Sequence, residues 1–334
     1  MRKGIRFTAI AVAVVFVLSG FAPSAMAVER LIFANISLES GIQAAEVFKQ
    51  VAERESNGTL EIQLFHNNVL GDDRTAVETT HFGDIDIAVS STSPVATIIN
   101  DFFMFDAPFL FFDEAAADSI LLGPVGQEIL DNMQERGFKG LAFWENGFRH
   151  FTSNNIAVRT PADASGVTVR TMENEIHLAI WRSFGANPTP MAMTEVFTAL
   201  QQGTIDAQEN TIGTIDGFGL AEIQRYISLT GHVYTPFIVL MNMDRFNGLN
   251  EVQQQAILKA AEASTAFQRE FARNFDATTM AAWPDMGVTI VTLTDEEKSA
   301  FQQLGMDAGI FDTIRSRMNN PQFLDQTLEY LAAR

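Results

Sequence analysis

Short apolar runs alternate with amphipathic stretches over the first part of the chain. The runs at 31–34 and 60–64 predict two strands, and the continuous apolar run at 85–89 is typical of a buried parallel strand. Apolar residues at helical spacing over 42–52, and the stretch 74–82, predict helices between these strands. The order strand, helix, strand, helix, strand is that of an α/β sheet.

The same rhythm begins again after Pro161. The predicted elements are, in order, a strand at 167–170, a helix at 175–184, a strand near 189–191, a helix at 194–202 and a strand at 205–208. We therefore predict a second α/β unit. Residues 251–282 contain no Gly or Pro, and at 1.5 Å per residue they predict a helical rod of roughly 48 Å, long enough to brace both units.

The N-terminus has the composition of a secretory signal. A basic start at 2–6 precedes an apolar run at 7–18, and Ala25-Met26-Ala27 has the small side chains that signal peptidase requires. The apolar run is about a dozen residues long, whereas a transmembrane helix needs ~20. We therefore predict a signal peptide over 1–27, a mature chain that begins at Val28, and a periplasmic location.

The charge balance excludes several classes of partner. The chain has 41 Asp and Glu against 22 Lys and Arg, which gives a formal net charge of −19. Nucleic acids and anionic lipid surfaces are bound through basic patches, so neither is an expected partner. The absence of Cys excludes thiol catalysis and thiolate metal sites, and no two His have metal-ligand spacing. We predict no metal, no cofactor and no membrane-embedded segment in the mature chain.

Polar side chains follow several of the predicted strands. In open parallel sheets, ligands bind beyond the carboxyl ends of the strands, because the loops diverge there and helix N-termini present free N–H groups. This rule selects Asn35, His66, Ser91, Arg170 and Asn210. The guanidinium of Arg170 is costly to bury unpaired, and its planar fork fits a carboxylate. Spacing alone leaves two interpretations open: a ligand carboxylate, or a structural salt bridge with an acid such as Glu173.

Other acidic residues have simpler interpretations. The pair Asp72-Asp73, after Gly71, is expected to form a solvated turn and not a cation site. Asp206 and Glu209 resemble a catalytic carboxylate pair, but acids at a strand end need no acid–base role. The sequence has no Gly-x-Ser-x-Gly nucleophile motif, so a secreted hydrolase has little support.

Several longer motifs resemble one family of transport proteins. They are NNVLGDDR at 67–74, GDIDIAV at 83–89, APFLF at 107–111, ENGFRHFT at 145–152, GVTVRTM at 166–172, GANPTPM at 185–191, EVFTALQQGTIDAQEN at 195–210 and EIQRYISLTGH at 222–232. In this order they resemble the DctP-type solute-binding subunits of tripartite ATP-independent periplasmic (TRAP) transporters over nearly all of the mature chain. A solute-binding protein of the ABC type would share the fold but lack this pattern.

The resemblance implies a fold, a ligand class and a partner. The fold is an α/β two-domain periplasmic-binding-protein clamshell, with hinge strands and a long helix spanning both domains. We assign domain I to 28–146 plus about 236–275, and domain II to 147–235 plus about 276–334. The function is that of a non-enzymatic receptor, which binds a small organic acid (uronate, hydroxy or keto acid, or C4 dicarboxylate) and delivers it to the TRAP membrane subunits.

The resemblance also assigns residues to the ligand. The family's principal carboxylate-binding Arg falls on Arg170, its second Arg on Arg149 and its Asn on Asn210. Met172 and Met193 are expected to lie against the ligand, and Met193 stands where many relatives have an aromatic residue.

Binding is expected to be coupled to closure of the clamshell. Both Arg side chains are expected to be hydrated until a carboxylate enters, and contacts from the first domain then close the cleft. The first-domain residues Asn35, His66 and Ser91 are therefore expected to set selectivity.

Overall fold

The structure is a computed structural model that describes residues 28–36 and 38–334. The predicted signal peptide over 1–27 lies outside the described residues. The described strands are β1 (Glu29–Ala34), β2 (Leu60–Phe65), β3 (Ile87–Ser91), β4 (Phe138–Phe148), β5 (His150–Ser153), β6 (Thr168–Thr171), β7 (Asn187–Pro190), β8 (Ala207–Asn210), β9 (Tyr226–Leu229), β10 (Tyr234–Asn242) and β11 (Thr289–Thr292). The described α-helices are α1 (Glu39–Glu55), α2 (Asp73–Phe82), α3 (Thr92–Ala96), α4 (Glu114–Leu121), α5 (Pro124–Asn132), α6 (Glu175–Ser183), α7 (Met193–Gln201), α8 (Ile212–Gly217), α9 (Met243–Gly248), α10 (Glu251–Ala282), α11 (Asp295–Asp307), α12 (Ile310–Arg317) and α13 (Gln322–Ala332).

The first sheet has the strand order β2-β1-β3-β10-β4, and we call it and the helices packed on it the first lobe. Its first three strands are parallel, whereas β10 runs antiparallel to both β3 and β4. Phe33, Phe48 and Trp144 pack together in its core, with Phe33 edge-on to Phe48 at 5.2 Å between ring centroids. The predicted β-α-β-α-β order of this half is confirmed.

The second sheet has the order β11-β9-β5-β8-β6-β7, and we call it and its helices the second lobe. The chain passes from the first sheet to the second between β4 and β5, with only Arg149 between them, and returns between β9 and β10. The backbone N–H of Arg149 donates to the carbonyl of Val233 (2.8 Å), so the two crossing segments lie side by side. These crossing segments are the hinge between the lobes.

The long helix α10 has the predicted bounds, 251–282. Asn250 and Gln253 form a reciprocal capping box at its start, which satisfies N–H groups that a helix N-terminus leaves free. The helix packs against α1 of the first lobe and against α8 of the second. It therefore braces both lobes, as expected from the sequence.

The C-terminal helices tie the lobes together a second time. Helix α12 contacts α6, and α13 contacts α5, which follows the first unit in sequence. Phe323 and Leu324 of α13 are fully buried. The assignment of 276–334 to domain II, and the division of the chain into domains I and II, stay predictions.

Some element boundaries differ from the predicted ones. The predicted strand at 205–208 is displaced to Ala207–Asn210, because β8 pairs with β5 up to the partners Asn210 and His150. The predicted strand at 85–89 is displaced to Ile87–Ser91, because pairing with β10 continues to Ser91. In both cases sheet pairing carries polar residues into the strand, which the apolar pattern alone does not reveal.

Candidate ligand-binding site

One pocket of about 740 Å³, part of it open to solvent, lies between the two lobes. Six of the eight residues predicted for the site line it: Arg170, Arg149, Asn210, Ser91, Met172 and Met193. Ser91 ends a strand of the first sheet, whereas Arg170 and Asn210 lie at the carboxyl ends of β6 and β8 in the second. The strand-end rule thus selected side chains that meet across the cleft.

Arg170 is a buried cation that has no salt bridge with any acid in residues 28–36 or 38–334. Only 2% of its surface is exposed, and its Nε and Nη2 both donate to the carbonyl of Met191 (2.9 and 2.6 Å). Burial, and then the nearby charge of Arg149, lower the pKa of Arg170 to about 10. Glu173 lines the same pocket but forms no ion pair with Arg170, so the structural salt bridge that the sequence left open is not present.

Arg149 has an acidic partner already, which corrects the expectation that it is hydrated before a ligand enters. Its Nε donates to Oε2 of Glu209 (2.5 Å), and its Nη2 donates to Oε1 and to the backbone carbonyl of Glu209 (2.9 and 2.8 Å). Both side chains are at most 1% exposed. The remaining nitrogen, Nη1, makes no hydrogen bond within the described residues, and Arg149 lines the pocket.

Glu209 is the centre of a buried polar cluster that sequence reasoning missed. Its Oε2 lies 3.0 Å from Nε2 of His232, and its Oε1 lies 3.9 Å from Nδ1 of His177. Burial alone would raise the pKa of Glu209, but the charge of Arg149 and the hydrogen bonds from His232 and Arg149 hold it well below its usual range. Glu209 is thus ionised and neutralises Arg149.

Three donors in the pocket point at methionine sulfur atoms. Nη1 of Arg170 lies 3.7 Å and Nδ2 of Asn210 lies 3.4 Å from Sδ of Met193, and Oγ of Ser91 lies 3.7 Å from Sδ of Met172. A thioether sulfur is only a weak acceptor. An oxygen of a ligand would therefore be a better partner for each of these donors.

Asn35 and His66 are placed outside the main pocket. Nδ2 of Asn35 lies 3.1 Å from Nδ1 of His66, and the other ring nitrogen of His66 lies 4.0 Å from Glu46. His66 follows the edge strand β2 and is not among the residues that line either cavity, so its role in ligand binding stays a prediction. Asn35 lines a smaller adjoining cavity of about 220 Å³, where its buried Oδ1 makes no hydrogen bond within the described part of the chain.

Asp73 lines the pocket, although the sequence predicted a solvated turn. Asp72 caps α2 by accepting a hydrogen bond from the N–H of Thr75 (2.8 Å), and this places Asp73 in the first turn of the helix. Oδ2 of Asp73 accepts from the N–H of Ser91 (2.8 Å). Burial, and then the charge of Asp72, raise the pKa of Asp73. No local signal distinguishes this carboxylate from its neighbour, because its role depends on the position of β3.

A fully buried polar network joins the lobes beside the pocket. Asn174 caps the start of α6 in the second lobe, and its Nδ2 donates to the carbonyl of Ser93 (3.1 Å) and to Oδ2 of Asp106 (2.8 Å). Nε2 of His177 lies 3.1 Å from Oγ of Ser93 and 3.0 Å from Oδ1 of Asp106. The hydroxyl of Ser93 also bonds to Asp106. The two lobes therefore share hydrogen bonds that do not involve the pocket.

Residues 28–36 and 38–334 contain no group of three or more His, Asp or Glu side chains arranged to hold a metal ion. None of their helices has the length and apolarity needed to span a membrane.

Comparison with known proteins identifies the family. Residues 37–307 match the bacterial extracellular solute-binding protein family 7, DctP. A solute-binding protein of Verminephrobacter eiseniae is 39% identical over 76% of this chain and 76% of its own length. The 2,3-diketo-L-gulonate-binding periplasmic protein YiaO of Escherichia coli is 33% identical over 85% of this chain and 87% of its own.

A solved structure has the same fold. The sugar acid binding protein DctPAm of Advenella mimigardefordensis, crystallised with galactonate, superposes with a TM-score of 0.86 at 31% identity and covers 91% of this chain and 98% of its own. The chain therefore belongs to the DctP family of extracellular solute-binding proteins. The predicted resemblance to TRAP solute receptors and the predicted two-domain clamshell are confirmed.

Proposed function

We propose that this receptor works in the periplasm, where it binds a small organic acid through Arg170 and delivers it unchanged to the membrane subunits of a TRAP transporter. The ligand class is that of uronates, hydroxy acids, keto acids and C4 dicarboxylates. The main support for the proposal is that Arg170 is a buried cation in the pocket wall and, within the described residues, donates hydrogen bonds only to a backbone carbonyl and a thioether sulfur.

A buried charge without a counterion is unfavourable, and a ligand carboxylate removes this cost. At a pKa of about 10, Arg170 is still charged at neutral pH. Arg149 and Asn210 line the same pocket. Nη1 of Arg149 makes no hydrogen bond within the described residues, and Nδ2 of Asn210 contacts only the sulfur of Met193, so both groups can donate to the same carboxylate. Charge-assisted hydrogen bonds of this kind are the strongest in proteins.

The relatives support the same ligand class. The Escherichia coli relative is named for 2,3-diketo-L-gulonate, a keto acid, and the Advenella structure contains galactonate, a hydroxy acid.

The acidic pair Asp206 and Glu209 needs no catalytic role in a transport protein. Glu209 is paired with Arg149, and Asp206 accepts a hydrogen bond from the N–H of Thr168 (2.9 Å).

Calorimetry on single-residue variants tests the proposal. We expect Arg170→Ala to weaken binding of organic acids by about 1.5 to 3 kcal/mol or more, because one charged hydrogen-bond donor group is lost, and Arg170→Lys to recover only part of this. Arg182→Ala, an exposed Arg on α6 of the same lobe, is the matched control and should bind like the wild type.

Two results would contradict the proposal. Near-wild-type affinity of Arg170→Ala would remove Arg170 from the site. Chemical conversion of the bound acid, followed by NMR over hours at protein excess, would favour an enzyme over a receptor.

A further inference from the structure

We infer that the pocket selects acids with a single carboxylate and hydroxyl groups toward the opposite end, and that Asp73 makes this selection. The inference rests on the proposed function, because it places the ligand carboxylate at Arg170. It narrows the ligand class by excluding dicarboxylates.

The pocket offers one uncompensated positive charge. Glu209 neutralises Arg149 through two hydrogen bonds to its carboxylate. Arg74, which also lines the pocket, is paired with Glu78 on the same helix (3.3 Å). Arg170 alone among these cations has no acidic partner within the described residues. A single cation without an acidic partner can neutralise a single ligand carboxylate.

The wall contributed by the first lobe carries two neighbouring carboxyl groups, because Asp72 and Asp73 both line the pocket. No salt bridge joins Asp73 to Arg170 or Arg149 within the described residues. Burial, and then the charge of Asp72, raise the pKa of Asp73, so this part of the wall disfavours negative charge. A second ligand carboxylate placed here would add a further negative charge to the cluster, which is unfavourable.

The same wall offers acceptors that make no hydrogen bond within the described residues. Oδ2 of Asp73 is used by the N–H of Ser91, whereas Oδ1 has no hydrogen bond within the described ranges. The buried Oδ1 of Asn35 also lacks one, and it borders the smaller cavity that Asp72 and Asp73 share with the main pocket. Hydroxyl groups are neutral donors that satisfy such acceptors. The geometry thus fits the polyhydroxylated tail of a sugar acid.

Matched pairs of acids test the inference. D-galactonate and galactarate share six carbons and four hydroxyl-bearing positions, and differ only in a terminal CH₂OH or carboxylate. D-erythronate and meso-tartrate form the corresponding four-carbon pair. Calorimetry at neutral pH first shows which of the two pairs binds more tightly. Within that pair, we expect the wild type to bind the monoacid at least about tenfold more tightly than the diacid. One hydrogen bond to a charged group contributes about this factor in affinity.

Asp73→Asn should reduce this preference. The Asn oxygen can still accept from the N–H of Ser91, and the amide NH₂ then replaces the free carboxylate oxygen in the pocket. The variant loses an acceptor for hydroxyls and gains a donor for carboxylates. We expect the ratio of the two affinities to fall by about tenfold or more. Asp84→Asn, which neutralises an exposed acid of the same lobe outside the pocket, should leave the ratio unchanged.

The outcomes separate the inference from the proposed function. If the wild type binds a diacid as tightly as its monoacid, or binds an amino acid such as 6-aminohexanoate more tightly than a hydroxy acid, the inference is overturned. Loss of all binding in Arg170→Ala would in that case still support the proposed function. If Arg170→Ala binds acids like the wild type, the proposed function itself fails. If Asp73→Asn does not fold, the ratio of monoacid to diacid affinity measured on the wild type tests the inference by itself.

Discussion

At the scale of single residues, the arrangement of Glu209 and Arg149 determines the charge of the site. A buried Arg with a bidentate acidic partner is geometrically fixed, because two parallel hydrogen bonds define its plane. Glu209 is held in turn by His232. The pair therefore fixes Arg149 at the hinge, while Arg170 keeps a charge that has no acidic partner within the described residues.

Glu209→Gln should destabilise the protein by about 3 kcal/mol or more, because Arg149 is then left as a buried charge without a counterion. The urea midpoint at neutral pH measures this, with the exposed Glu195→Gln on α7 as the control. An unchanged midpoint would show that the pair contributes nothing.

The pH dependence of this effect has a definite sign. The pKa of Glu209 is depressed in the folded protein, so its stabilisation is fully present above the ordinary carboxyl value of 4.5 and is lost as the pH falls toward the folded pKa. The stability difference between wild type and Glu209→Gln should therefore shrink below about pH 4.5.

Single residues also show which parts of the site could be predicted from the sequence and which could not. Arg170 was found because it ends an apolar strand, a local signal. Glu209 and Asp73 were not, because each acts through a residue far away in sequence: Glu209 meets Arg149 through the antiparallel pairing of β5 with β8, and Asp73 meets Ser91 of β3. Neither contact leaves a pattern in the local sequence.

At the scale of elements, the long helix α10 carries a titratable group beside the second lobe. The carboxyl of Asp276 lies beside Gly213 of α8. Burial, and then the charges of Glu145, Glu114 and Asp216, raise the pKa of Asp276 to about 8. The contact between α10 and α8 is therefore made by a protonated carboxyl at neutral pH. The bounds of α10 were predictable from its lack of Gly and Pro, but this contact was not.

Asp276→Asn should stabilise the protein at alkaline pH. The pKa of Asp276 is raised from 3.8 to about 8, so the wild type loses stability as the pH rises through this window, and a neutral Asn does not. We expect a gain of about 1.4 kcal/mol or more at pH 8.5, the equivalent of one pKa unit, and little gain near pH 4. Thermal melts across this range measure it, with the exposed Glu262→Gln on the same helix as the control. A gain that does not vary with pH would contradict the assignment.

At the scale of the whole molecule, ligand affinity depends on how firmly the lobes hold together. The network of Asn174 and His177 with Ser93 and Asp106 joins them without touching the pocket. We expect the ligand to bind the closed form best, and any interaction that favours this form should then also favour ligand binding. The two-domain clamshell was predicted from the resemblance to a known family. This network was not predictable, because it joins residues that lie 68 to 84 positions apart in the sequence.

Asn174→Ser should weaken ligand binding from a distance. Ser retains an oxygen that can cap α6, where Asn174 accepts from the N–H of Ile176 (2.8 Å), but it loses the two donors to the first lobe. We expect Kd to rise about tenfold through a faster off-rate, together with a lower unliganded melting temperature, because the buried carboxylate of Asp106 loses a donor. Stopped-flow kinetics measure the rate. An unchanged off-rate would assign the network to stability alone.

A crystal structure of the protein with the acid that binds most tightly in calorimetry would test the role of Arg170 directly. We expect carboxylate oxygens about 2.7–2.9 Å from the guanidinium of Arg170 and from Nη1 of Arg149, with the sulfur of Met193 displaced. A ligand bound elsewhere, with Arg170 paired to Glu173 or another acid, would contradict this expectation.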